Sequence, residues 1–300
     1  MLMPEHHQLT PIEHASLHQA LLKLLLEFDR VCRLAGIPYQ LGAGTLLGAV
    51  RHKGFIPWDD DVDVCLLRPD YERFLNLAGS LLGPEFYLQH KGIEPKYPHL
   101  FAKLRLNDTE FITPEYQNLG IHQGIYIDIF PFDEVRPHQL LGQLHFGITH
   151  YVFVANRALL AGRYRPLGTK RSTVAREILR FCHRLLNWFG QDRLDRLTVW
   201  LATVYFRANQ TINPDAPEYV TCLVSGGSSH AAQRMRIRQF EAFTHTIPVE
   251  FCGHTLPIPG NYDEVLTRLY GNYKQLPPSE KRRPIHQIVR FSVKDTSHSS

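Results

Sequence analysis

"GTLLGAVRHKGFIPWDDDVDV", residues 44 to 64, sets Asp59, Asp60, Asp61 and Asp63 almost side by side, between a glycine-punctuated apolar stretch and the apolar run "VCLL". Carboxylates that crowded repel one another, and the repulsion is sustained only where water, a cation or both screen it. From Asp61 onward the residues alternate as a strand does, with Asp61 and Asp63 on one side and Val62 and Val64 on the other. Two carboxylates on one strand face lie about 7 Å apart at Cα, within reach of one hard cation. Just upstream, "YQLGAGTLLG" reads as a short strand, a glycine turn and the start of a helix. The plain alternative is a solvated acidic turn, but the apolar clamps "FIPW" and "VCLL" count against it. A calcium loop beginning at Asp59 would need glycine at its sixth position and glutamate at its twelfth, where Val64 and Asp70 stand. The glycines at 42, 44 and 48 do not have dinucleotide spacing, and no G-K-[ST] follows for a P-loop.

Further along, "GIYIDIFPFDEV" (124–135) repeats the strand alternation, with Tyr126, Asp128 and Phe130 opposite Ile125, Ile127 and Ile129. If the two strands are neighbours, Asp128 joins Asp61 and Asp63. Three converging carboxylates behind a Gly-Thr helix start suit phosphoryl chemistry. Mg²⁺ takes oxygen ligands and keeps positions open for phosphate, while a helix N-terminus offers N–H groups to a second phosphate. Nearby cations are Arg51 and Lys53, and Lys103 and Arg105, which share a face of the expected strand "FAKLRL". They read as phosphate contacts or as solvated side chains.

The rest of the chain bounds this reading. It has 300 residues, 44% hydrophobic and 21% charged, which describes an ordinary globular protein with a large core. A formal charge of +4 is compatible with an anionic substrate and too weak to indicate nucleic acid, for which there is also no motif. Five scattered cysteines without a C-x-x-C pair support neither a disulfide framework nor a zinc ribbon, and favour the cytoplasm. The N-terminal residues do not read as a signal peptide, and no stretch reaches the uncharged length of a membrane span. Thr10 and Pro11 open an expected helix to about residue 34, with Leu17, Leu21, Leu24, Leu25 and Phe28 on its core face. His14 and His18, one turn apart on it, read as solvent-facing.

At the quoted blocks, together with "FAKLRLNDT" (101–109) and "IPGNYDEVLTRLYGNYKQLPP" (258–278), the chain resembles the LicD-type phosphotransferases, related to the fukutin group and built on the nucleotidyltransferase fold. The resemblance implies that Gly44 and Thr45 form a phosphate-binding turn and that Asp61, Asp63 and Asp128 hold Mg²⁺, with Mn²⁺ as the alternative ion. It implies transfer of a phosphorylated alcohol, typically phosphocholine from CDP-choline, onto a cell-surface glycan; the alternatives are transfer of phosphoribitol, phosphoglycerol or a nucleotide, or a non-catalytic glycan- or cation-binding scaffold on the same fold. Asp128 is then the candidate base for the acceptor hydroxyl or a ligand only. The C-terminal block departs at Asn272, where relatives carry aspartate. Trp58 and Tyr126, beside the acids, read first as core aromatics and second as faces for a quaternary ammonium.

The fold class expected is α/β: a nucleotidyltransferase-like mixed β-sheet core with a helical insertion and a smaller C-terminal part. The expected division is 1–135 for the N-terminal helix and catalytic core, 136–215 for the insertion, 216–275 completing the domain, and 276–300 as an exposed basic tail. Within the insertion, Arg176, Arg180 and Arg184 form a stripe on an expected helix over 172–189. This stripe reads as a solvated face or as a contact for an anionic membrane, which would bring the enzyme to a lipid-linked acceptor at the inner face of the cell membrane.

Overall fold

The computed structural model describes residues 7–164, 190–211, 219–225 and 238–293. They form a mixed α/β chain in two units, one made of residues 1–131 and 241–300 and the other of residues 132–240.

The first unit opens with helix α1 (Pro11–Ala35). The Thr10 hydroxyl accepts from the Glu13 N–H and the Glu13 carboxylate accepts from the Thr10 N–H, while Gly36, with φ of 60°, ends the helix in the left-handed conformation. Leu17, Leu21, Leu24, Leu25 and Phe28 are all buried, as their helical spacing predicts. Strand β1 (Gln40–Leu41) leads through Gly42 into α2 (Ala43–His52). Then come β2 (Asp63–Leu67), α3 (Arg68–Leu81), β3 (Phe86–Gln89), β4 (Ala102–Leu106), β5 (Thr109–Ile112) and β6 (Tyr126–Val135). Strand β2 begins at Asp63, so Asp61 lies in the residues leading into the strand and not within it as the alternation predicts.

The sheet of this unit runs β1-β2-β6-β4-β3. Strands β2 and β6 are neighbours, which is the condition the site required, and the Asp128 N–H donates to Val62 O at 2.8 Å. Antiparallel pairing of β4 with β6 sets Lys103 opposite Asp128 and Arg105 opposite Tyr126.

In the second unit, the last residues of β6 (133–135) pair antiparallel with β7 (Tyr219–Thr221), which also pairs with β8 (Arg238–Gln239). Its helices among the described residues are α4 (Leu140–Tyr164) and α5 (Gln191–Thr211). The stripe of Arg176, Arg180 and Arg184, with the helix expected over 172–189, lies outside the described residues.

The chain returns to the first unit with α6 (Glu241–Thr244), the hairpin β9 (Thr246–Phe251) and β10 (His254–Pro259), α7 (Tyr262–Tyr270) and β11 (Arg290–Val293). Cys252 and Gly253 turn that hairpin with φ of 50° and 80°, the two-residue geometry with positive φ at both positions. Strand β11 pairs antiparallel with β5, and His7 bridges to Ile288. The stretch expected to be an exposed basic tail is therefore partly built into the fold. Its sequence cue, a run of prolines and cations, marks the absence of a helix and not the absence of contacts.

Candidate active site

The turn into α2 shapes the site. Ala43 sits at φ of 38°, in the region that L-residues seldom adopt, and the Gly42 N–H donates to Asp63 O at 2.9 Å. A Cβ on Gly44 would lie 2.7 Å from Asp59 Oδ2, so glycine there lets the Asp59 carboxylate approach the start of the helix. Thr45 is buried, and its hydroxyl accepts from the Asp63 N–H at 2.8 Å. Gly44 and Thr45 thus fix the positions of Asp59 and Asp63, while the first N–H groups of α2 have no partners within the helix.

Across that turn the acids crowd as the sequence suggests. Burial, then Asp61 and Asp60, push the Asp59 carboxyl up to about 7. Burial, with Asp60 and Asp128, raises Asp61 to about 6 against the pull of His286 and Lys103. Burial and the charges of Asp61, Asp128 and Asp59 raise Asp63 as well. These shifts record negative charge in excess of the local positive charge, which is what a site for a cation or a developing cationic centre looks like.

Asp60 has a different task. It is buried, and it accepts from the backbone N–H groups of Ile285 (3.3 Å) and His286 (2.9 Å) and pairs with His286 Nδ1 at 3.1 Å. Asp60, Asp61 and His286 each place a ligand atom within 4.8 Å of the others. Burial lowers the His286 imidazole, but the hydrogen bond and charge of Asp60 and the charge of Asp61 carry it above its ordinary value. Sequence reasoning missed His286. The proline-flanked "RRPIHQ" offers no periodicity, and its only signal is a histidine within a segment that has to satisfy a buried aspartate 226 residues away.

On β6, Asp128 Oδ1 accepts from Lys103 Nζ at 2.5 Å. Lys103 is buried, and burial lowers it to about 8 against the pull of Asp128. Its ammonium lies 3.3 Å from the Tyr126 ring centroid, and the Arg105 guanidinium lies 4.8 Å from it. These internal cations take the position a quaternary ammonium would need, so Tyr126 serves the core, and its hydroxyl meets His286 Nε2 at 3.4 Å. Arg105 is buried and donates Nε–H to Gln89 and an Nη1–H to Gly124 O. Asp61, Asp63, Asp128, Lys103 and Tyr126 therefore share one electrostatic environment.

The other candidates lie to the side. Arg51 donates to Tyr273 O at 2.9 Å and so ties α2 to the segment after α7. Lys53 is exposed, pairs with Glu250 at 3.3 Å and ends α2 at φ of 55°. Trp58 is half-buried, with the Arg282 guanidinium 5.7 Å from its ring. The expectation of a solvent-facing His18 is corrected. His18 stacks on Phe55 at 4.3 Å and its Nε2 meets Asp59 O at 2.8 Å, because α1 passes behind the acidic turn.

The sequence has relatives. The family described as "LicD/FKTN/FKRP, nucleotidyltransferase domain" matches residues 36–170, a range that holds Gly44 to Asp63, Lys103 and Asp128. The lipopolysaccharide cholinephosphotransferase LicD of Haemophilus influenzae is 29% identical over 271 residues, covering 88% of this chain and 92% of that protein. The ribitol 5-phosphate transferase FKRP of Mus musculus is 29% identical over 106 residues, 34% of this chain and 18% of that protein. The human FKRP is 38% identical over 68 residues, 21% of this chain and 14% of that protein. The acidic turn, the helix start that frames it and the facing strand all lie within the range that matches, and over that range the chain is similar to the LicD-type phosphotransferases, related to the fukutin group.

Proposed function

We propose that the chain is a Mg²⁺-dependent transferase on a nucleotidyltransferase-type core, moving phosphocholine from CDP-choline onto a hydroxyl of a cell-surface glycan such as lipopolysaccharide or teichoic acid. One observation carries the reading. Asp59, Asp61 and Asp63 are all raised by burial and mutual repulsion at the mouth of α2, within a chain related along most of its length to a cholinephosphotransferase. The donor chemistry suits a hard divalent ion, because Asp61, Asp63 and Asp128 offer carboxylate oxygens, and among the described residues Asp60, Asp61 and His286 already bring ligand atoms within 4.8 Å of one another. When bound there, Mg²⁺ (or Mn²⁺) would neutralise the donor diphosphate and the departing CMP.

The protein's own groups do the rest. The N–H groups at the start of α2 are donors for anionic oxygen, while Gly44 makes room for the Asp59 carboxylate beside them. The acceptor oxygen attacks the choline-bearing phosphorus, the bond to the CMP oxygen breaks, and CMP leaves with the electron pair. The acceptor proton passes to Asp128, which Lys103 orients. The reaction belongs in the cytoplasm, where nucleotide-activated donors are made.

Phosphoribitol is the second reading for the transferred group, favoured by the similarity to the ribitol 5-phosphate transferase and by the internal cations that cover Tyr126. The test is product analysis with CDP-choline, CDP-ribitol and CTP, each with Mg²⁺ and a panel of glycan acceptors. CMP with a phosphocholine-modified sugar is the expected result. CMP from CDP-ribitol alone would move the assignment to the second reading, and pyrophosphate from CTP with no CMP from any CDP-alcohol would reject both.

A further inference from the structure

The second unit contains a helix pair with its polarity reversed. On α4, Leu140, Leu141, Leu144, Ile148 and Tyr151 follow one face at helical spacing and are between 45 and 83% exposed. The opposite face is buried and carries Thr149, His150 and Asn156 beside Phe146 and Phe153. From Leu140 to Asn156 there is no charged side chain, and the flanking ones are Arg136 and Arg157. A helix at the surface of a water-soluble domain presents the other arrangement, with its apolar stripe inward.

Polar groups hold the interior of the pair. Asn156 Nδ2 donates to Asp195 Oδ1 at 2.7 Å, and Gln191 Nε2 donates to Asn156 Oδ1 at 2.7 Å and to Asp195 Oδ1 at 2.9 Å. The Thr149 and Thr198 hydroxyls donate to carbonyls one turn earlier in their own helices. Polar contacts between helices with leucine outside are the pattern of helices that meet lipid. No helix among the described residues is long and apolar enough to cross a membrane, so such a face lies along a bilayer and not through it.

The charge around α4 selects the kind of surface. Residues 136–190 contain nine arginine or lysine side chains against one glutamate, a strong positive bias in a chain whose whole formal charge is +4. An apolar stripe set in a basic stretch of sequence complements anionic headgroups. Half-exposed Trp200 on α5 is the residue type enriched at a membrane interface. From the reversed polarity of α4 and the basic sequence around it we infer that its Leu140–Tyr151 face seats on an anionic lipid bilayer. The test of this surface does not depend on the transfer reaction.

The experiment is flotation of the full chain with phosphatidylcholine vesicles, with and without phosphatidylglycerol. Wild type is expected to float with the anionic vesicles and to stay behind with the neutral ones. Leu144→Gln combined with Ile148→Gln is expected to weaken anionic binding by about tenfold, and Leu34→Gln, at an exposed leucine of the first unit, to leave it unchanged. Circular dichroism and thermal melting check that the double variant folds. Leu141→Gln alone, the gentler change, is read in its place if it does not. Absence of wild-type binding, or equal binding by the folded variant, would overturn the inference. So would light scattering that shows a wild-type dimer which the double variant dissolves, since the face would then belong to a second copy.

Discussion

In the first unit, Asp59, Asp60, Asp61, Asp63 and Asp128 meet two cationic partners, Lys103 and His286, and the balance of negative charge appears as raised carboxyls at Asp59, Asp61 and Asp63. In the second, Asp195 is met by the neutral amides of Asn156 and Gln191, and the leucines that a water-soluble helix would bury stand outside. Both regions bury polar groups, at a cost in each. The difference lies in whether the partners are supplied. Where the fold supplies them, the polar group joins helices; where it withholds them, the unpaired charge is held for something that arrives.

The comparison breaks first if the carboxylates can be neutralised without consequence. Asp61→Asn or Asp63→Asn keeps the side-chain volume and removes one charge. Transfer is expected to fall by on the order of 10³-fold, as when a group that stabilises transition-state charge is lost. The metal-free fold is expected to survive and to melt higher, since repulsion is relieved. Turnover near wild type at saturating Mg²⁺ would remove these residues from the site.

The next effect concerns the C-terminal segment that carries His286. His286→Ala removes the side chain that Asp60 holds but leaves the acids themselves, so a loss of about 10- to 100-fold in kcat/KM is expected, the usual scale for a group that orients others. The Asp60→Ala variant also leaves two backbone donors unpaired, and should melt lower than His286→Ala. Equal melting temperatures would mean that Asp60 does not anchor the C-terminal segment.

A third effect is visible in stability against pH. Asp59 and Asp61 stand at about 7 and about 6 in the folded protein against an ordinary value of 3.8. Between about pH 4 and pH 7 the folded metal-free protein therefore holds protons that the unfolded chain has released, and stability from these groups falls as pH rises through that window. Below it both states are protonated and the penalty is absent; above it the penalty is complete. Saturating Mg²⁺ is expected to raise the melting temperature by on the order of 5 °C at pH 7.5 and hardly at all near pH 4.5. The wild-type curve minus that of Asp61→Asn isolates the contribution, and a flat difference would contradict it.

Much of this was legible in the residues. The apolar spacing of α1, the glycine turn into α2 and the alternation around Asp128 are local patterns, and local patterns survive folding. The neighbouring of β2 and β6 follows from them only with the resemblance in hand. Three things were hidden for physical reasons. His286 reaches Asp60 across the chain with no periodic signal. His18 reads as surface because a helical repeat tells which face is apolar and not what passes behind it. Lys103 and Arg105 read as free cations because strand alternation places them on one face without revealing that Tyr126 and Asp128 fill that face. The reversed polarity of α4 needs burial as well as sequence, since its leucines have the same spacing whichever side faces water.

The smallest effect is the one that sharpens the contrast most. Asn156 in the second unit is more deeply buried than the first unit's acids, and both its amide groups are engaged, with Asp195 and Thr198 on one side and Gln191 on the other. Asn156→Ala strips Asp195 of one donor and leaves Gln191 with one acceptor fewer, at a cost of about 1–3 kcal/mol in unfolding free energy. The network's hydrogen bonds run between residues of the second unit, so turnover per folded molecule is expected to match wild type. Deleting polarity thus has opposite signs in the two units. At Asp61 it raises metal-free stability and abolishes transfer; at Asn156 it lowers stability and spares transfer. Parallel urea melts and turnover assays on the two variants check this directly. An Asn156→Ala protein that melts like wild type yet transfers poorly would place the helix pair in the reaction and erase the distinction between the units.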